Sequence, residues 1–190
     1  MTLQILFFLL QVLATLIGGA ALLRFHMNWQ GVSLTDPLGR LVLALTDWLV
    51  RPLRMALPKS ARIDTASLLA AWLIKLAHYA LLMLLAGRGN AVILPVLALL
   101  GVGRLAVSVG MALVIFAAIL SWTQSHSMAA DALHRLAAPI LAPVRRLIRP
   151  IGGVDLSPLL VVVLLQVLGM VLANAQTQLA GRWLLAGAGL

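Results

Sequence analysis

The chain has 190 residues, of which 63% are apolar and 10% are charged, and its formal net charge is +9. Soluble domains are roughly half apolar and about a quarter charged, so this composition excludes a water-soluble globular domain, and it also excludes intrinsic disorder, which needs low hydrophobicity. The chain has no cysteine, which excludes disulfides, thiolate metal sites and cysteine nucleophiles. The remaining class is an integral membrane protein, and its positive charge favours anionic lipids over nucleic acid as a partner.

Four apolar segments are long enough to cross a bilayer, because each is about 30 Å long at a helical rise of 1.5 Å per residue. In chain order they are Leu3–Leu23, Thr65–Ala86, Val102–Trp122 and Leu156–Ala175. A cleaved signal peptide is the alternative for the first segment, but Met1–Gln4 carries no positive charge and the apolar run is longer than a usual signal core. The sequence therefore predicts an all-α membrane protein with four transmembrane helices.

A further apolar stretch, Ala91–Leu100, precedes the third span and is interrupted by Pro95. If it were fused to that span, the helix would be about 48 Å long, which is too long for one crossing. We therefore interpret residues 88–101 as an apolar linker that is interfacial or partly re-entrant.

The distribution of basic residues predicts the orientation of the spans. Residues 24–64 carry six Lys or Arg and residues 123–155 carry four, whereas the opposite side carries Arg88, Arg182 and Arg104. By the positive-inside rule, both long loops are cytoplasmic and both termini lie outside.

Each long loop has the apolar periodicity of an amphipathic helix. The apolar face of the first comprises Leu38, Leu41, Val42, Leu45, Trp48, Leu49 and Leu53, and that of the second comprises Leu133, Leu136, Ala137, Ile140, Val144 and Leu147. Arginine on the polar face is typical of a helix that lies in the headgroup layer. Pro52, Pro139 and Pro143 are expected to kink or end these helices. Two interpretations stay open, namely a solvated or lipid-bound face and a docking face for a cytoplasmic partner.

The two halves of the chain resemble each other. Pro52-Leu53-Arg54 precedes Pro143-Val144-Arg145 by 91 residues, and Asp64 precedes Asp155 by the same offset. Farther upstream the offset is 95, since Asp36 corresponds to Asp131. Each unit is a span, an amphipathic segment and a span, so the repeats are parallel, which disfavours an inverted-repeat transporter. The predicted units are residues 1–87 and 102–176, followed by a C-terminal tail at 177–190.

These repeated blocks carry a resemblance to a known family. The first block runs from Thr46-Asp47 through Arg51-Pro52-Leu53-Arg54 to Ile63-Asp64, and the second from Ala138-Pro139 through Pro143-Val144-Arg145-Arg146 to Val154-Asp155-Leu156. In this pattern the chain resembles the YggT family, also called YlmG-like, over nearly its whole length. It departs from the family at the Asn-Pro that usually precedes the amphipathic helix, which here is Asp36-Pro37 and Asp131-Ala132.

The resemblance implies a small multi-pass protein of the bacterial plasma membrane without an established enzymatic activity. Members of the family are similar to factors associated with cell division, with the envelope or with osmotic-stress tolerance. Plastid relatives are linked to the assembly of membrane complexes, including cytochrome b6 maturation.

Several charged residues at the span ends are candidate site residues. Asp64 and Asp155 each precede an apolar span, where an aspartate can cap the helix. Each can also pair with the arginine of its own repeat, Arg54 or Arg145, and so hold the amphipathic helix to the span. The basic residues expected in the interface or in partner docking are Arg51, Arg54, Arg145, Arg146 and Arg149.

Three polar residues are predicted inside the membrane. Lys75 lies near the middle of the second span, where a charge costs about 2.5–3.5 kcal/mol and tends to face a bundle interior or water. Gln166 is its counterpart at the 91-residue offset, so we expect the two to face each other near a pseudo-two-fold axis. His78 is one turn from Lys75 on the same side of the helix. Their interpretations are a polar contact that fixes helix association, an ion or proton path, and a contact with an acidic residue of a partner.

No catalytic motif is present, and we predict no enzyme activity, cofactor or metal site. The arginine clusters lack interleaved aromatic residues and adjoin spans, so no specific nucleic-acid binding is predicted. Two functions remain: a membrane scaffold or assembly factor, and a small channel or transporter component in which Lys75 lines a polar path. Anionic lipids, other membrane proteins or further copies of the chain are the expected partners.

Overall fold

The computed structural model describes residues 2–57, 64–87, 91–122, 127–147 and 155–186, and all regular structure in these ranges is helical. The helices are α1 (Thr2–Gln30), α2 (Pro37–Ala56), α3 (Thr65–Ala86), α4 (Leu94–Trp122), α5 (Met128–Leu147) and α6 (Ser157–Ala186), with a short 3-10 turn at Ala91–Ile93 before α4. In the described ranges, α1, α3, α4 and α6 are long and apolar enough to cross a membrane. The prediction of an all-α protein with four candidate spans is thereby confirmed.

Two of the long helices extend beyond the segments that hydropathy predicts. The first helix continues from Leu23 to Gln30, and α6 continues from Ala175 to Ala186. Gly31 ends α1 in the left-handed conformation, with φ of 63°, and the Val32 N–H donates to the Met27 carbonyl at 2.9 Å. This pattern is a Schellman motif, which satisfies the last carbonyls of the helix. The polar C-terminal residues of α1, which follow its apolar segment, are therefore helical as well.

The expected break in the helix before the third span is wrong. Helix α4 is continuous over 29 residues from Leu94 to Trp122. Pro95 lies in its first turn, where the missing N–H has no partner to lose. At about 44 Å the helix is longer than the hydrocarbon core, an excess that tilting can accommodate. An interfacial depth for the Ala91–Leu100 stretch stays a prediction.

Helices α2 and α5 occupy the two long loops, and each has 20 residues. They continue past Pro52, Pro139 and Pro143, so the prolines do not end them. They begin 91 residues apart, the offset that relates Arg54 to Arg145, whereas α1 and α4 begin 92 residues apart. The helix starts therefore do not show the predicted upstream offset of 95, and the duplication itself stays a prediction.

The helices pack around α4, which contacts α1, α3, α5 and α6. Small residues line the closest approaches: Ala21, Ala70 and Ala71 are buried in one core cluster, and a Cβ at Gly18 would come within 2.9 Å of Leu105. Because lipid supplies no hydrophobic driving force between helices, such close van der Waals contact is what holds a membrane bundle together.

A second core cluster forms where the two loop helices meet the bundle. It joins Met27 of α1, Val42 of α2, Leu113 of α4 and Leu136 of α5. Both loop helices therefore lie at one end of the bundle, which we call the loop end, and we call the opposite end the far end.

Candidate functional site

The first polar cluster lies at the loop end, around the carboxylate of Asp64. Asp64 is the N-cap of α3 and accepts the Ser67 N–H at 3.4 Å and the Ser67 hydroxyl at 2.7 Å. Its Oδ2 also accepts from Arg54 of α2 at 2.8 Å and from the Asn28 amide of α1 at 2.6 Å. Three elements of the first half of the chain therefore meet on one carboxylate.

The surroundings of Asp64 favour its charged form. Its side chain is 7% exposed, and this burial acts to raise its pKa, but the hydrogen bonds from Ser67, Arg54 and Asn28 and the charge of Arg54 outweigh it and hold the pKa below the ordinary value. Asp64 is thus a negative charge that the fold itself satisfies.

Asp155 makes a similar but more open contact in the second half. Arg145 Nε donates to its Oδ2 at 2.9 Å, and the Ser157 N–H donates to its Oδ1 at 2.9 Å. Asp155 lies two residues before α6, so its carboxylate satisfies the first N–H of the helix without being the N-cap residue itself. Hydrogen bonding from Ser157, together with Arg145, lowers the pKa of Asp155. The structure therefore brings each predicted aspartate to the arginine of its own repeat.

Arg24 forms a third loop-end contact, which the sequence analysis missed. Its side chain is almost fully buried, and its guanidinium donates to Thr46 Oγ1 at 2.9 Å and to Asp47 Oδ1 at 2.7 Å. In the sequence Arg24 follows an apolar span and counts only as a loop charge. The sequence contained one indication of this contact: Asn28 lies four residues after Arg24, so the two polar side chains share one face of α1 near the loop end.

The last turns of α1 also reach the second loop helix. His26 Nε2 donates to the Leu136 carbonyl of α5 at 2.9 Å. Arg24 therefore bonds to α2, Asn28 bonds to the N-cap residue of α3, and His26 bonds to α5. The C-terminal end of α1 therefore contacts both loop helices, and α5 also packs on α4 and α6.

The basic residues predicted for docking fall into two groups. Arg54 and Arg145 are half-exposed, and their ion pairs with Asp64 and Asp155 are internal. Arg51 and Arg146 are exposed, and within the described residues neither forms an ion pair. Arg149 lies outside the described residues. Among the described arginines predicted for docking, Arg51 and Arg146 are therefore the two whose charge no aspartate offsets.

Helix α2 exposes part of its apolar face. Its buried stripe is Gly39, Val42, Thr46 and Val50, whereas Leu41 and Trp48 are 59% and 63% exposed. Leu45 lies between them on the same outer stripe and is exposed as well. The apolar face is thus wider than the bundle covers, and its outer stripe is available to lipid or to another protein.

The second polar cluster lies between the bundle centre and the far end. Lys75 and His78 of α3 are both buried. Arg104 of α4 donates to Gln176 Oε1 at 2.9 Å, and Gln176 Nε2 donates to the Tyr79 hydroxyl. The ring centroids of His78 and Tyr79 are 5.2 Å apart at an interplanar angle of 64°. One hydrogen-bonded chain therefore links α4, α6 and α3 beside two buried basic side chains.

The structure does not bring Lys75 and Gln166 together. Lys75 is 4% exposed, whereas Gln166 lies on the exposed surface of α6. Helices α3 and α6 both pack against α4. The polar residue of α6 that reaches α3 is Gln176, ten residues after Gln166, and it donates to the Tyr79 hydroxyl. Arg104 is the charged neighbour of Lys75, and it repels the ammonium. Burial also keeps Lys75 out of reach of an acidic residue on a partner helix.

In the described parts of the chain, no group of three or more His, Asp or Glu side chains is placed to hold a metal ion. All five aspartates of the sequence lie outside the predicted spans. The arrangement therefore combines satisfied ion pairs at the loop end with unneutralised basic groups inside the bundle.

Comparison with known proteins identifies relatives along most of the chain. The family model CCB3/YggT matches residues 3–85 and 96–176. The chain is 33% identical to the uncharacterized protein YggT of Escherichia coli K12 over 95% of both chains. It is 31% identical to an uncharacterized protein of Pseudomonas aeruginosa, over 92% of this chain and 91% of the relative. It is also 31% identical to one of Vibrio alginolyticus, over 84% and 88% respectively. No solved structure gives a significant match.

Proposed function

We propose, from the premise that the chain belongs to the CCB3/YggT family, that it is a non-enzymatic scaffold or assembly factor of the bacterial plasma membrane. Its role is of the class associated with cell division, envelope stress tolerance or membrane-complex maturation. In this proposal both loop helices face the cytoplasm, and α2 presents its outer stripe to another membrane protein.

The proposal rests on the exposed stripe of Leu41, Leu45 and Trp48. This stripe lies on α2, a helix whose other side is bonded to the rest of the bundle. Arg24 binds the buried side of α2 through Thr46 and Asp47, and the Arg54–Asp64 pair binds its C-terminal end. A surface that is ordered before binding loses little conformational entropy on binding. Exposed tryptophan and arginine are also the residue types that contribute most to protein interfaces.

Arg51 gives this surface a charge. It lies three residues after Trp48, close to one helical turn, and is exposed. A partner with apolar side chains and an acidic residue one turn apart would match Trp48 and Arg51 together. A helix that faced only lipid would expose the same residues, but no acidic side chain of a partner would pair with Arg51.

Photo-crosslinking in intact cells tests this proposal. We replace Trp48 of the full chain by a benzoyl-phenylalanine and, as the matched control, do the same at Leu164, which is equally apolar and 53% exposed on α6. We expect a discrete protein adduct from position 48 that disappears when Arg51→Asp is added, and only lipid adducts from position 164. Lipid adducts alone at both positions would contradict the scaffold proposal.

A second candidate function is a small channel or transporter component, and the second polar cluster favours it. Lys75, His78 and Arg104 lie close together, and the sequence places no acid inside a span, so this path would conduct anions. Chloride flux through liposomes that contain the full chain tests it. Flux that falls in Lys75→Met but is kept in Gln166→Leu, a control on the exposed face of α6, would support this function. Absent flux, or flux unchanged by Lys75→Met, would refute it.

A further inference from the structure

A cavity of about 660 Å³ opens between α4, α5 and α6 at the loop end of the bundle. Its walls are mostly apolar, with Ala118 of α4, Leu141 of α5 and Val162 and Val163 of α6 among them. Its volume falls in the range of small-molecule sites, about 300–1,000 Å³. We call it the α4–α6 groove.

The polar groups of the groove lie at one end. His134 and Arg145 of α5 and Asp155 before α6 line it together with Ser121, which is near the C-terminus of α4. The apolar lining residues continue along α4 to Val114 and along α6 to Val163, toward the bilayer centre. The groove therefore has the polarity of a membrane lipid, with a polar rim at the loop end and an apolar slot along the spans.

We propose that the α4–α6 groove is a binding site for one anionic phospholipid, with an acyl chain in the apolar slot and the phosphate at Arg145. This goes beyond the proposed scaffold function, which rests on α2 and does not require the groove.

Charge complementarity favours an anionic headgroup over a zwitterionic one. Each oxygen of Asp155 already accepts one hydrogen bond, from Arg145 Nε and from the Ser157 N–H, and Arg145 offsets its charge, so Asp155 attracts a lipid ammonium less than an unpaired carboxylate would. Arg145 uses only its Nε in that pair, and its side chain is 51% exposed. Its terminal N–H groups bond to no other residue in the described ranges, and such groups bind a phosphate through paired hydrogen bonds.

In the first half of the chain, side chains of α1 reach both the loop helix α2 and the N-cap of α3. There Arg24 extends from α1 into the contact with Thr46 and Asp47, and Asn28 extends to Asp64. The C-terminal part of α4, from Leu105 to Trp122, has no charged residue that could form an ion pair with α5. An external phosphate can therefore supply at the second site the polar contact that Arg24 supplies at the first.

Native mass spectrometry of the full chain in detergent, with dioleoylphosphatidylglycerol or dioleoylphosphatidylcholine added, tests this inference. We expect one phosphatidylglycerol to bind, at least about fivefold more tightly than phosphatidylcholine, which is the effect of roughly one basic residue at an anionic surface. Arg145→Gln should remove most of that preference, and Ala118→Phe should lower the affinity for both lipids by filling the slot. Arg135→Gln, which removes the same charge from an exposed position of α5 outside the groove, should change neither.

Equal affinity for the two lipids, a preference unchanged by Arg145→Gln, or affinities unchanged by Ala118→Phe would each overturn the inference. Tighter binding of added phosphatidylethanolamine than of phosphatidylglycerol would also overturn it, since that lipid would be using Asp155. Circular dichroism and gel filtration of each variant show that it is folded. If Arg145→Gln does not fold, Ala118→Phe alone decides whether the groove holds the lipid. Because no α2 residue is changed, failure here leaves the crosslinking result at position 48 unaffected.

Discussion

At the scale of single residues, the two aspartates that precede α3 and α6 differ in how far the fold encloses them. Asp64 is 7% exposed and accepts from three side chains, whereas Asp155 is 40% exposed and pairs with one arginine. Removing a buried carboxylate leaves its donors unsatisfied, and an exposed ion pair contributes little. We expect Asp64→Ala to lower the free energy of unfolding by about 2–3 kcal/mol and Asp155→Ala by about 1 kcal/mol or less. Denaturant titration of both variants in detergent measures this, and equal losses would contradict the difference in burial.

The same carboxylates predict how stability depends on pH. Both have a pKa in the folded chain below the ordinary value of 3.8, so the folded chain binds their protons less readily than the unfolded chain does. Their stabilisation is complete above the ordinary pKa and is lost as the pH falls through the lowered folded pKa. We expect a melting temperature that is flat from neutral pH to about pH 5 and falls below about pH 4, with a shallower fall in Asp64→Asn. A melting temperature that rises on acidification would contradict this.

Sequence reasoning found the loop-end residues and missed their neighbours for a physical reason. Arg54 with Asp64 and Arg145 with Asp155 are each ten residues apart and flank one connection, so proximity along the chain brings them together. Arg24 and Asp47 meet only because α2 folds back on α1. Lys75 and Gln166 were expected to meet because they share an offset, but the rotation and order of packed helices decide which faces meet. Gln176 reaches the cluster instead.

At the scale of elements, the entry into α2 depends on one glycine. A Cβ on Gly39 would lie 2.5 Å from backbone atoms of Leu34, and a backbone contact of this kind cannot be relieved by a rotamer change. We expect Gly39→Ala to cost about 1–3 kcal/mol of stability by displacing the start of α2. Gly103→Ala is the matched control: its Cβ meets only a Leu172 side chain at 3.6 Å, so it should be neutral or stabilising, by up to about 1 kcal/mol. Thermal unfolding in detergent compares them, and equal melting temperatures would contradict the close contact at Gly39.

The existence of the helices could be predicted better than their bounds. Uniform apolarity over about 20 residues fixes a span whatever its sequence, so all four spans were found. The ends of α1 and α6 were missed because a helix continues into polar residues as long as its carbonyls find partners. Pro95 was taken as an interruption, although a proline in a first turn has no hydrogen bond to lose. The loop helices were found from their periodicity, but that pattern did not distinguish the stripe buried on the bundle from the exposed one.

At the scale of the whole molecule, the bundle has two chemically different ends. The loop end carries the three ion pairs, Arg24–Asp47, Arg54–Asp64 and Arg145–Asp155, in the described part of the chain. Toward the far end the bundle buries Lys75 and His78 beside exposed Arg104 of α4, and no aspartate of the sequence lies inside a predicted span. The positive-inside rule predicts that the loop end faces the cytoplasm. It predicts that a cysteine at exposed Arg51, as Arg51→Cys in this cysteine-free chain, is labelled by a membrane-impermeant maleimide only after the cells are opened. Labelling in intact cells would contradict that sidedness.

The proposed scaffold function requires that the bundle present α2 to a second membrane protein. The most direct test is the composition of the complex that the full chain forms when it is purified from its native membrane in mild detergent and weighed by native mass spectrometry. The scaffold function predicts a second integral membrane protein at fixed stoichiometry, with its recovery reduced about tenfold or more by Trp48→Ala, as for a hot-spot residue, and kept in Trp29→Ala, which removes an equally exposed tryptophan from α1. A homo-oligomer that carries only lipid, or recovery equal in the two variants, would contradict it.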